Sequence, residues 1–156
     1  MRQSLAALRT TGAELRHPYY LALLADACGK VRQTEEGLTA LAEARARVDK
    51  TGERWYEAEL YRLKGELLRQ KAKGKRQRAK TEPEVEACFR QALTIARRQS
   101  AKLLELRAVM SLSRLWQNQG KQDEARQLLA EIYGWFTEGF DTTDLQEAKA
   151  LLQELG

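Results

Sequence analysis

The sequence predicts an all-α fold of antiparallel helix pairs, and three observations carry that prediction. Apolar residues recur at helical spacing along nearly the whole chain, and no stretch alternates as a strand would. Only two prolines, Pro18 and Pro83, interrupt the 156 residues, which favours long unbroken helices. A helix-pair pattern then recurs three times along the chain. The length suits a single domain, 1–156, that can bury a real core.

Eight helical segments follow in order. The first, 2–11, begins without a cap and stops at Thr11-Gly12. The second, 18–31, has Pro18 at a first helical position, where its missing N–H costs nothing. The third, 34–50, takes Thr34 as N-cap and ends before Thr51-Gly52. The fourth, 53–71, runs into a basic stretch. The fifth, 82–98, opens on Thr81-Glu82-Pro83-Glu84, a cap followed by acids and a proline. The sixth spans 101–118 and stops at Gly120; the seventh spans 121–136. The last, 144–155, starts from a capping box of Thr143 and Gln146. Short connections make consecutive helices antiparallel neighbours.

The recurrence lies in the segments 23–44, 63–93 and 112–132. A small residue of each first helix falls at Ala25, Gly65 and Ser113, separated by 40 and 48 positions. A large residue of each second helix falls at Leu41, Phe89 and Leu129, separated by 48 and 40. A period of 40 with one eight-residue insertion between the helices of the middle unit reproduces both series. The insertion coincides with the basic stretch 71–80, which is therefore expected to be a loop. A small side chain lets two helices approach, and a large one fills the groove beside it.

The net charge is +5, but it is concentrated. Arg69, Lys71, Lys73, Lys75, Arg76, Arg78 and Lys80 lie together with no acid among them; the rest of the chain has 20 basic and 22 acidic residues. Such a run reads first as a solvated loop, and alternatively as a nucleic-acid contact. Interleaved aromatics are missing from it, so nucleic acid is the weaker expectation. Cys28 and Cys88 have no metal-ligand spacing and read as small buried hydrophobes. Met1-Arg2-Gln3-Ser4 leads into an amphipathic stretch rather than a signal peptide, and no apolar run is long enough to span a membrane, so a cytoplasmic location is expected.

Residues for chemistry are few. His17, the single histidine, has no acid or cysteine at ligand spacing. The Gly-Lys pairs at 29–30, 74–75 and 120–121 lack the rest of a phosphate loop, and no nucleophile elbow appears. No catalytic, cofactor-binding or metal residue is assigned, and the chain is expected not to be an enzyme. Trp55 and Trp116 read as core. Trp135, Phe136 and Phe140 read as pins for the last helix, with an exposed docking patch as the alternative.

The recurring residues resemble the tetratricopeptide repeat. Its first-helix pattern is similar to Leu21, Leu24-Ala25 and Cys28, to Tyr61, Lys64-Gly65 and Leu68, and to Val109, Leu112-Ser113 and Trp116. Its second-helix pattern is matched by Gly37, Leu41 and Ala44, by Val85, Phe89 and Ala92, and by Ala125, Leu129 and Ile132. Residues 120–125, GKQDEA, resemble the family's inter-helix turn. The period departs from the family's roughly 34 residues, and the terminal proline is missing. The resemblance implies stacked helix pairs in a right-handed superhelix: the end of a truncated repeat (2–16), three repeats (17–52, 53–100, 101–140) and a capping helix (141–156).

A wider resemblance rests on HPYYLALLADACGK, GERWYEAELYRLKGELL, ACFRQALTIARRQSAKLLELRAVMSLSRLW and IYGWFTEGFDTTDLQEAKALL. These stretches look like the C-terminal region of large bacterial signalling proteins. In that family an adenylate or guanylate cyclase-like or DNA-binding domain and an ATPase domain precede a tetratricopeptide region. The resemblance implies a non-catalytic protein-interaction arm of such a regulator, with residues 2–11 as the second helix of a repeat that begins upstream. Its partner would be a protein or peptide, or another domain of the parent chain. The open apolar face of the truncated repeat could also pair two copies.

Carried over from the family, the groove positions are Tyr19, Ala22, Asp26 and Lys30; Glu59, Arg62, Glu66 and Arg69; and Arg107, Met110, Arg114, Gln117 and Asn118. Arg62, Arg69, Arg107 and Arg114 on one face would suit a partner carrying carboxylates. The competing expectation is a solvated face laced by Glu66–Arg69 and Arg62–Glu66 pairs.

Overall fold

The computed structural model describes residues 17–156. Over them the chain is all-helical, with seven helices: α1 His17–Lys30, α2 Thr34–Thr51, α3 Glu57–Lys71, α4 Gly74–Arg98, α5 Lys102–Asn118, α6 Gln122–Tyr133 and α7 Thr143–Leu155. The helix expected over 2–11 lies outside the described residues. Each helix packs on the next in sequence, and α1 packs on α3, α3 on α5 and α5 on α7. The odd helices thus form one continuous layer. The even helices back it.

The small residues sit where helices meet. A β-carbon at Gly65 would stand 2.5 Å from Cε1 of Phe89 and 3.2 Å from Cβ of Cys88, so only glycine lets α3 and α4 come this close. Gly37 meets Leu67 and Cys28 in the same way. Ser113 is fully buried and donates its hydroxyl to the Ala125 carbonyl, at 3.2 Å, across the α5–α6 crossing. Both cysteines, Cys28 and Cys88, are buried.

One helix joins the two main parts of the core. Leu60, Leu63 and Leu67 of α3 pack with Leu21, Leu41 and Val48 of the first pair. Tyr61 and Leu68, on its other side, pack against the cluster that holds Phe89, Leu112, Leu129 and Leu151. Apolar residues at helical spacing on two faces make α3 the centre of the molecule. Between α5 and α6 the chain turns at Gly120, whose φ of 79° suits glycine, and the Lys121 N–H closes the turn on the Trp116 carbonyl at 2.9 Å.

Several expectations need correction. The basic stretch is not a loop: α4 starts at Gly74, and only Ala72 and Lys73 separate it from α3. Lysine, arginine, glutamine and alanine are good helix formers, so the segment after Gly74 extends the helix by about two turns. The Gln77 side chain accepts the Lys73 N–H at 2.9 Å and closes the new first turn. Pro83 is consequently inside the helix, on its exposed side. Thr81 is no cap; its hydroxyl donates to the Gln77 carbonyl at 2.8 Å.

Helix starts also differ. α3 begins at Glu57 rather than 53, and Trp55 in the preceding turn is 51% exposed, not core. The N-cap positions are Gln33 and Thr142, and neither makes a side-chain cap. No capping box forms at Thr143, since the Thr142 hydroxyl donates instead to the Gly139 carbonyl at 2.6 Å. Trp116 is half-buried against the core, as is Phe136. Trp135 is 57% exposed under the Lys102 ammonium, and Phe140 is also exposed while touching Tyr133, so neither pins α7 from within.

Candidate functional site

The open side of the odd layer forms a groove. Successive turns of α1 present Tyr19, Ala22, Asp26 and Lys30, and those of α3 present Glu59, Arg62, Glu66 and Arg69. Helical spacing of three and four puts each set on one face. Two hollows share Asp26, Lys30, Arg62 and Leu63, so the groove is continuous between them.

The smaller hollow, about 410 Å³, lies among α1, α3, α5 and α7. Tyr19, Asp26, Arg62, Arg107, Met110 and Arg114 line it. The larger, about 910 Å³, is a cleft between α1, α3 and the first turns of α4, with Glu66, Arg69 and Asn118 on its wall. Gln117 lines neither. At the end of the groove beside Tyr19, the Tyr19 ring stacks on Trp55 with centroids 5.7 Å apart and meets Tyr56 edge-on at 5.0 Å.

The charges of the smaller hollow are already matched. Arg62 forks onto Glu59 with Nε–Oε2 at 2.9 Å and Nη2–Oε1 at 2.6 Å, and its Nη1 reaches Ser111 Oγ at 3.4 Å. Arg107 donates to both oxygens of Asp144, at 3.2 and 3.0 Å, and stands 3.6 Å from Glu59. The Glu59 side chain, only 5% exposed, is thus held between two guanidiniums from different helices. Burial works against the charge on Arg107, but the hydrogen bonds to Asp144 and the field of Glu59 raise its pKa above the ordinary value. Burial raises the Tyr56 phenol, with Glu59 adding to the shift and Arg107 opposing it.

Arg62 and Arg107 are therefore not free to take a partner's carboxylates. They tie α3 to α5 and α7. Of the internal pairs expected, Arg69–Glu66 forms at 3.8 Å, whereas Arg62 takes Glu59 in place of Glu66. Arg114 is loosely paired with Glu147 at 3.8 Å, and Lys30 with Asp26 at 2.8 Å.

Sequence reasoning missed Asp144, Glu147 and Tyr56, which complete the smaller hollow. The i, i+3 spacing of the two α7 acids was the available signal. It also missed Arg32, Lys75 and Arg78 in the cleft, because their segments read as loops. His17 is buried with Nε2 3.5 Å from Glu43, an acid one helix away that sequence spacing does not reveal. Among the described residues no three His, Cys, Asp or Glu side chains could together hold a metal ion, and no helix is long and apolar enough to cross a membrane.

Compared with protein-family models, curated proteins and solved structures, the chain matches none.

Proposed function

We propose that the chain is a tetratricopeptide-like, non-catalytic module that binds a protein segment along the groove of its odd-helix layer. In this reading it is a scaffold or regulatory arm of a larger bacterial signalling or transcription-regulating ATPase, and its partner is another protein or another domain of the parent chain. The observation that carries the reading is the continuous groove across α1, α3, α5 and α7, walled by long polar side chains over a packed backing layer. Stacked helix pairs commonly use such an extended face for binding. The small residues at the crossings and the helix-pair recurrence support the same kinship.

Site-specific photo-crosslinking in the source cell tests it. A photoreactive residue replaces Leu23 or Arg114 in the groove, and Gln91 or Ala130 on the exposed backs of α4 and α6. Discrete protein adducts, intermolecular or to upstream parts of the same polypeptide, are expected from the groove positions alone. Equal adducts from both faces, or none from the groove, would reject the reading.

A further inference from the structure

The two halves of the groove differ in charge. In the smaller hollow four cations, Lys30, Arg62, Arg107 and Arg114, face four acids, Asp26, Glu59, Asp144 and Glu147. The cleft beside it has six cations on its wall against Asp26, Glu66 and Glu82. Three of the six, Arg32, Lys75 and Arg78, form no ion pair with any described residue, and Arg69 has only the 3.8 Å contact with Glu66. The uncompensated charge of the groove is therefore gathered at one end.

We propose that this cleft takes an acidic peptide segment of the partner protein, its carboxylates held by Arg32, Arg69, Lys75 and Arg78. The inference rests on the interaction-module reading and names the partner's chemistry. Its geometry comes from the helical extension of α4. Lys75 and Arg78 lie three apart on the added turns and both face the cleft, whereas Arg76 and Lys80 of the same turns do not line it. Arg32 stands in the α1–α2 turn with φ at 60°, a backbone that favours glycine or asparagine, yet the position carries a long cation beside the cleft. Buried Leu63, Leu67 and Val85 underlie these charges and offer a floor for an apolar side chain between acids.

A peptide suits this wall better than a nucleic acid. Among the described residues no aromatic ring lines the cleft, so bases would find no stacking surface there. Glu66 and Glu82 interrupt the cations and would repel a continuous phosphate track, whereas peptide N–H groups can donate to them. The volume of about 910 Å³ is ample for a short segment.

Fluorescence anisotropy with the full chain tests the proposal, using a labelled peptide that alternates glutamate with leucine and a second with glutamine in place of glutamate. Saturable binding of the acidic peptide is expected, with the glutamine peptide at least about tenfold weaker. Lys75→Glu with Arg78→Glu should weaken the acidic peptide at least about tenfold. Arg76→Glu with Lys80→Glu carries the same change in net charge and should alter affinity less than about threefold. All four side chains are solvent-exposed, and unchanged circular dichroism would confirm that the variants fold.

Equal weakening by the two double variants would reduce the effect to bulk charge and overturn the cleft. Equal binding of the two peptides would overturn the acidic ligand. A single-stranded oligonucleotide of equal charge that binds more tightly, and is lost with Lys75 and Arg78, would overturn it in favour of nucleic acid. If groove crosslinks from Leu23 and Arg114 persist while the acidic peptide fails, this inference falls alone; if the crosslinks fail, the module reading falls.

Discussion

Replacing Arg62 with methionine should destabilise the fold, because it removes the forked partner of a carboxylate that is almost wholly buried. Methionine keeps the apolar stem, so the change isolates the charge. Both Glu59 oxygens lose charge-assisted hydrogen bonds, of 2.9 and 2.6 Å, and only Arg107 remains, at 3.6 Å. Breaking a buried pair from one side costs about 3–5 kcal/mol. Arg62 is itself 17% exposed and Arg107 stays in place, so we expect less than that, about 2–3 kcal/mol. With a urea slope of about 2 kcal/mol per molar, the midpoint should fall by about 1–1.5 M in unfolding followed by circular dichroism. The double variant Glu59→Met/Arg62→Met leaves no orphaned acid and should recover at least about half of the loss. A single-variant loss under about 0.5 kcal/mol, or a double variant as unstable as the sum of the singles, would refute the reasoning.

Two further predictions concern α4. Pro83 inside the helix denies the Ala79 carbonyl its N–H partner, so Pro83→Ala should raise stability by about 1–3 kcal/mol in the same urea assay; no gain would mean that the helix starts near Glu82 after all. The Glu86 carboxyl lies below its ordinary value of 4.5: burial opposes the shift, but hydrogen bonds from Arg90 and from Trp116 Nε1 outweigh it. A depressed carboxyl stabilises the fold above its unfolded pKa and loses that contribution as pH falls through the folded one. Glu86→Gln should therefore melt below the parent at neutral pH, with the gap closing on the acid side of 4.5; a gap independent of pH would count against the pairing.

The all-helical character, the close crossings and many groove positions were legible in the sequence because helical spacing fixes which residues share a face. Gly65 reads as a crossing residue before its contact with Phe89 is seen. The start of α4 was not legible. Thr81-Glu82-Pro83-Glu84 satisfies the rules for a helix N-terminus, yet the preceding lysines, arginines and glutamine also propagate a helix, and local rules do not choose between the two. Trp55 was misread because a tryptophan is usually buried, whereas here it stands in a turn against Tyr19 and Tyr56.

Local sequence therefore specified helices, their inward faces and the set of charged residues on the outward face of the odd layer. It could not specify the partners of those charges. Glu59 and Glu66 both lie within helical reach of Arg62, and the choice follows from Arg107, which approaches Glu59 from α5 and meets Asp144 of α7, 37 residues along the chain. Likewise, no local signal joins Arg32 to Lys75 and Arg78; the packing of α1 on α3 and of α3 on α4 brings them to one cleft. Helix formation depends on neighbours within a few residues, but Coulomb energy depends on distance in space, and that distance exists only once the helices have stacked.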